Sequence, residues 1–266
     1  MKSVRLGCVK YLNARPLIRG WPGDVEFDTP SALCQRLAKG QLDVALVSSF
    51  EFLRNPIYQI VNDVSISSDG LVYSVVVAHS GEFSNIEEVE LDPASLTSVN
   101  LLRCLLAERR LEPRLIGNID LQSAGPAPHR ARLLIGDQAI HFRQKHAGEF
   151  YFWDLGEQWK ELTGLPFVYA LWLIRPEVAD AQRVADHLRA VRNENLASLD
   201  ELIETAVSRI ADPGSPKITS EFLGRYYREH LGFSFGEKEK NGLRKFANLC
   251  AKHGMLRGRD PVFSVI

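Results

Sequence analysis

Long apolar runs are missing from this 266-residue chain, and neither sign of charge is in excess. No stretch holds the roughly 18 uninterrupted apolar residues of a membrane span. With 32 basic and 33 acidic side chains the formal net charge is -1. Such a balance supplies no field to collect nucleic acid or an anionic membrane. Lys238, Lys240, Arg244, Lys245 and Lys252 alternate with apolar residues and read as a solvated helix face. Cysteine is scarce. Cys8, Cys34, Cys104 and Cys250 lie far apart in apolar patterns, form no Cys-x-x-Cys pair, and are expected to be buried and reduced. No signal-peptide apolar region follows Lys2, so the expected location is cytoplasmic. The seven histidines have no metal-ligand spacing, and His141 and His146 do not share a helix face. Also absent are Gly-x-Ser-x-Gly, His-Glu-x-x-His, a Walker loop and Gly-x-Gly-x-x-Gly. No metal and no cofactor is predicted.

What is present suits a soluble globular core: 45% hydrophobic and 24% charged residues over a length that holds one large domain or two lobes. Strand and helix signals alternate, which predicts an α/β protein with parallel sheet. A first strand, Val4 to Val9, leads to a short helix near Pro16 to Gly20 and a strand around Val25 to Phe27. Thr29-Pro30 then caps a helix carrying Leu33 and Leu37 and ended by Gly40. Asp43 to Val47 reads as a buried strand. A second region repeats this logic with a strand at Val89 to Leu91, a helix from Ser95 to Arg110, and a strand at Arg132 to Ile135 before a helix through Lys145. The runs Val72 to Ala78 and Phe167 to Ile174 look like two hinge crossovers of a bilobed protein. The expected division is residues 1–80 plus 171–266 for one lobe and 81–170 for the other, with a ligand cleft between them. The end of the chain reads as helical, over Val184 to Ile210, Thr219 to His230 and Lys238 to His253, with Pro213, Gly214 and Pro216 as breakers. Its apolar faces suit either core or a homodimer interface.

Polar residues gather where strands end and helices begin, positions at which backbone N–H groups hold anions. The heptad Tyr11-Leu12-Asn13-Ala14-Arg15-Pro16-Leu17 offers Asn13 as donor and acceptor and Arg15 as a fork for a carboxylate. Ser48 and Ser49 follow a buried strand, and Thr97 and Ser98 open a long helix. Ser67-Ser68-Asp69-Gly70 resembles a tight turn, and Ser74 falls on the first hinge run. Asp137 and His141 are one helical turn apart, an arrangement that fits an acid–base pair and equally an N-cap. Read by themselves, these residues predict a cleft for a small carboxylic acid.

The ordered set formed by the heptad, Leu42 to Val47, Ser68-Asp69-Gly70 with Ser74, Asp92-Pro93-Ala94-Ser95 with Thr97-Ser98, and Leu134 to Asp137 resembles the menaquinone-biosynthesis enzymes of the futalosine pathway. Asp154 to Glu157 and Leu162 to Phe167 extend the likeness over roughly residues 4 to 175. The chorismate dehydratase branch is the more similar; the 1,4-dihydroxy-6-naphthoate synthase branch is the alternative, and a non-enzymatic binding protein for a carboxylic acid is a third. The resemblance implies a type II periplasmic-binding-protein-like fold used inside the cell as a carbon–oxygen lyase. It implies chorismate, a dicarboxylate, as substrate, with Asn13 and Ser74 catalytic. Arg15, Ser48, Ser49, Ser68, Thr97, Ser98 and Asp137 are then expected to bind substrate. Two positions depart from the family pattern: Lys10 stands where a small residue is usual, and Leu96 where an arginine is usual.

Overall fold

The computed structural model describes residues 4–92, 94–117, 127, 129–209, 218–258 and 260–266. Among the described residues the strands form two five-stranded sheets. The first contains β1 (Leu6–Cys8), β2 (Val25–Phe27), β3 (Val44–Ser48), β4 (Gln59–Ser68) and β10 (Phe167–Ile174), in the order β2-β1-β3-β10-β4. The second contains β5 (Val75–His79), β6 (Glu88–Leu91), β7 (Arg114–Gly117), β8 (Arg130–Ile135) and β9 (Tyr151–Asp154), in the order β7-β6-β8-β5-β9. Neither sheet is purely parallel as the alternation predicts. β1 runs parallel to β2 and β3, but β10 is antiparallel to β3 and β4, and β5 to β8 and β9. The cause is the path of the chain: β4 runs on into β5 of the second sheet, and β10 comes back into the first beside strands already laid down.

Both crossover runs are strands of a single sheet. Val77 pairs with Leu133 in the second, and Leu171 with Val47 in the first. The chain therefore passes between sheets at residues 69–74 and 164–166, instead of at 80 and 170. Ser67 and Ser68, expected in a turn, end β4, and Gly70 takes a φ of +124° just beyond. The first helix is a 3-10 helix, Leu12–Leu17, with Pro16 inside it. Proline has no N–H to donate, so a full α-turn is not favoured there.

The α-helices are α1 (Pro30–Ala38), α2 (Ser49–Arg54), α3 (Leu96–Glu108), α4 (Gly136–Lys145), α5 (Leu155–Thr163), α6 (Ala181–Ala197), α7 (Leu199–Arg209), α8 (Ser220–Arg225) and α9 (Glu237–Lys252). Thr29 and Ser95 cap α1 and α3 with their hydroxyls, as their positions predict. The helix expected over Val184 to Ile210 is divided at Ser198, whose hydroxyl donates back to the Glu194 carbonyl. Ile210, Pro213, Gly214 and Pro216 lie outside the described residues. A π-helical turn, Tyr226–His230, continues α8. Leu188 of α6 and Leu243, Phe246 and Cys250 of α9 are buried in the protein's own core. Phe246 meets the edges of Trp159 and Phe167. Among the described residues no helix is long and apolar enough to cross a membrane.

Candidate active site

A cavity open on one side lies where the two sheets meet. Its walls come from the carboxyl ends of β1, β3 and β8, from the 3-10 helix, from the residues before β5, and from the start of α3. Strand carboxyl ends are where α/β folds present side chains to ligands. A roomier cleft with Trp21, Asp24, Arg183 and His187 opens beside the amino ends of β1 and β2, the opposite pole of the first sheet.

Asn13, Ser48, Ser74 and Ser98 all line the cavity, beside Tyr11, Ser95 and Tyr169. The Asn13 Oδ1 is buried and has no hydrogen-bond partner among the described residues. A buried amide oxygen left unpaired loses its hydration without return, so it is poised for a donor. Ser74 is fully buried; its Oγ accepts from the Tyr226 hydroxyl at 2.7 Å, and its carbonyl accepts from Gly136 N–H at 2.8 Å. The next residue, Tyr227, donates to the Leu12 carbonyl at 2.9 Å, beside Asn13. Two adjacent tyrosines of the π-turn thus tie down both walls. Sequence reading missed them, because a Tyr-Tyr pair in a helical tail carries no signal of what it reaches.

Other expected substrate-binding residues are engaged elsewhere. The Thr97 hydroxyl bonds to Ser48 and accepts from Phe50 N–H at 3.2 Å, joining α3 to the start of α2. Ser49 donates to the Val168 carbonyl at 2.7 Å, and Ser68 bonds the Tyr169 hydroxyl at 3.3 Å. Asp137 accepts from Leu12 N–H at 2.9 Å and so holds the 3-10 helix against α4. Burial pushes its carboxyl above the ordinary range, opposed by that N–H and by the charges of Arg15 and His141. Thr97, Ser49, Ser68 and Asp137 are outside the cavity lining; they brace it. Arg15 is also outside and, with Lys10 and Arg19, lines an adjoining cleft. Tyr11 and Val9 form the wall between the two spaces, and burial pushes the Tyr11 phenol up to about 12. Lys10 is exposed, and neither it nor Leu96 reaches the cavity lining.

No charged side chain lines the cavity among the described residues. Positive potential comes instead from helix starts: Ser95 and Ser98 belong to the N-terminus of α3, and Ile135 and Gly136 to that of α4. Among the described residues no group of three or more metal-ligating side chains is present.

Two mixed sheets joined by two crossings, with a polar cavity at their junction, define a periplasmic-binding-protein-like fold. Solved structures show the same fold. A protein of Archaeoglobus fulgidus aligns with a TM-score of 0.71 at 16% identity, covering 95% of this chain and 98% of that one. The alkanesulfonate-binding protein SsuA of Xanthomonas axonopodis pv. citri aligns at 0.69 and 16% identity, covering 99% and 97%. Sequence narrows the class: residues 4–252 match the menaquinone biosynthesis family, and the chain belongs to it. It is 31% identical to the chorismate dehydratase of Thermus thermophilus across 93% of this chain and 95% of that protein. It is 29% identical to the chorismate dehydratase of Campylobacter jejuni across 60% and 58%.

Proposed function

We propose that this protein is a chorismate dehydratase, a hydro-lyase that removes the C3 hydrogen and the C4 hydroxyl of chorismate as water to give 3-[(1-carboxyvinyl)oxy]benzoate. The observation that carries this reading is the buried, unpartnered Asn13 Oδ1 in the same cavity as Ser74, in a chain 31% identical to a chorismate dehydratase. The elimination makes an aromatic ring, so its driving force lies in the substrate. The protein's task is to orient the reacting groups and stabilise the departing hydroxyl. Asn13 and Ser74 hold the reacting region. The N-termini of α3 and α4 hold carboxylates where no cationic side chain lines the cavity. No described carboxylate lines the cavity either; the enolpyruvyl carboxylate of the substrate takes the C3 proton and passes it to the leaving oxygen. Lys10 and Arg15, in the adjoining cleft, raise the local concentration of a dianion. The pathway is that of futalosine, and the free, buried cysteines suit a cytoplasmic setting.

The test is incubation with chorismate and mass spectrometry for loss of one water. Asn13→Ala and Ser74→Ala are each expected to lower kcat by about 100-fold or more in protein that still folds cooperatively. Chorismate bound without conversion would make the protein a binding protein. Neither binding nor conversion would point to the substrate of the sister naphthoate synthase.

A further inference from the structure

Ser74 is fully buried, and one contact decides what its hydroxyl can offer. Tyr226 donates to Ser74 Oγ at 2.7 Å. A serine hydroxyl carries a single hydrogen, and among the described residues none accepts it. With its oxygen occupied by Tyr226, Ser74 keeps that hydrogen for the cavity it lines. The tyrosine arrives from a π-turn, an uncommon element often found at functional sites. Its ring stacks on Phe222 at 5.8 Å between centroids, which fixes the phenol independently of the serine. Burial pushes that phenol well above its usual pKa, so it remains a donor at any working pH.

We propose that Tyr226 is a positioning residue that holds Ser74 as a hydrogen-bond donor toward the hydroxyl leaving the substrate. This rests on the dehydratase reading. The C4–O bond breaks with its electron pair on oxygen, and the C3–H pair becomes a ring double bond. The proton lost from C3 goes to the substrate carboxylate and then to the departing oxygen, which leaves as water. Ser74 and Tyr226 each keep their own proton and supply only hydrogen bonds. Removing the phenol hydroxyl frees Ser74 to turn its hydrogen away from the cavity.

Tyr226→Phe keeps the ring and its stacking. It is expected to lower kcat by about tenfold, with KM changed by less than about twofold. The double variant with Ser74→Ala is expected to be no slower than Ser74→Ala alone, because the phenol acts only through the serine. A merely structural tyrosine would instead slow both backgrounds by the same factor, and that outcome overturns the proposal. So does unchanged kcat in Tyr226→Phe beside a slow Ser74→Ala, which leaves the dehydratase reading standing. Full turnover in Ser74→Ala would remove the serine's role and this proposal together.

Discussion

Asn13 and Ser74 present only neutral groups to the cavity, and the residues bracing them explain why a neutral lining keeps its shape. Leu12 has its N–H on Asp137 and its carbonyl on Tyr227, so the residue before Asn13 is fixed at both its backbone polar groups from outside the cavity. Asp137 performs this while half-buried, and its acidity records the cost. Its pKa is raised in the folded protein, chiefly by burial, above the unfolded value of 3.8. Between those two values the folded state holds a proton that the unfolded state has released, so rising pH favours unfolding. Asp137→Asn abolishes this dependence. The unfolding free energy of the wild type, measured by urea titration, is expected to fall relative to the variant as pH rises from 3.8 through the folded pKa. Parallel pH profiles for the two proteins would refute the assignment. Sequence showed Asp137 as a polar residue at a helix start. It gave no means of knowing that its partner lies 125 residues earlier.

Short elements set the cavity walls. Tyr73 takes a φ of +67°, unfavourable for an aromatic residue, immediately before Ser74. Asp154 compensates by accepting from Val72 N–H at 3.0 Å and Tyr73 N–H at 2.8 Å, while Arg143 lies over the Tyr73 ring at 4.3 Å. The crossover is thus held in a strained conformation by a carboxylate that also caps α5 through Gly156 and Glu157 N–H. Gly136, at the start of α4, has a φ of +58°, and a Cβ there would stand 3.0 Å from the Tyr11 ring. Gly136→Ala is expected to cost about 1–3 kcal/mol in stability. It should also raise KM, because the displaced Tyr11 forms a wall of the cavity. Denaturant unfolding and steady-state kinetics check the two effects; an alanine variant equal to wild type in both would overturn this account. The pairing Leu134-Ile135-Gly136-Asp137 was legible as a strand running into a helix. The need for glycine was not, since it arises from a ring that approaches from the other sheet.

Over the whole molecule, burial of all four cysteines sets how the protein meets oxidants and thiol reagents. Cys104 on α3 and Cys250 on α9 have their sulfurs 3.7 Å apart, in hydrogen-bond contact and without a disulfide. Burial pushes the Cys34 thiol up to about 12 and raises Cys8 as well, which suppresses the reactive thiolate. Native protein is expected to leave all four unmodified by a thiol-exchange chromogen at neutral pH, and to react at four sites once unfolded in guanidinium. Rapid reaction of even one in the native state would contradict the burial described. The same core consumes the apolar faces of α6 and α9, which by sequence fitted core and interface equally well.

Local chemistry determined much of this protein. The alternation of buried strands and capped helices, the Thr29 and Ser95 caps, the scarcity of charge excess and the heptad containing Asn13 are properties of neighbouring residues, and they were readable in order along the chain. The tertiary structure alone decided which polar groups face the cavity. Ser48 and Ser49 are adjacent, yet one lines the cavity and the other donates to the Val168 carbonyl. Thr97 and Ser98 divide in the same way. The mixed sheets, the crossings at 69–74 and 164–166 and the reach of Tyr226 to Ser74 also waited on the fold. The reason is physical: a hydroxyl's role depends on which partner satisfies it, and those partners come from segments distant in sequence, from 47 residues for Thr97 and Phe50 to 152 for Ser74 and Tyr226, that only packing brings together.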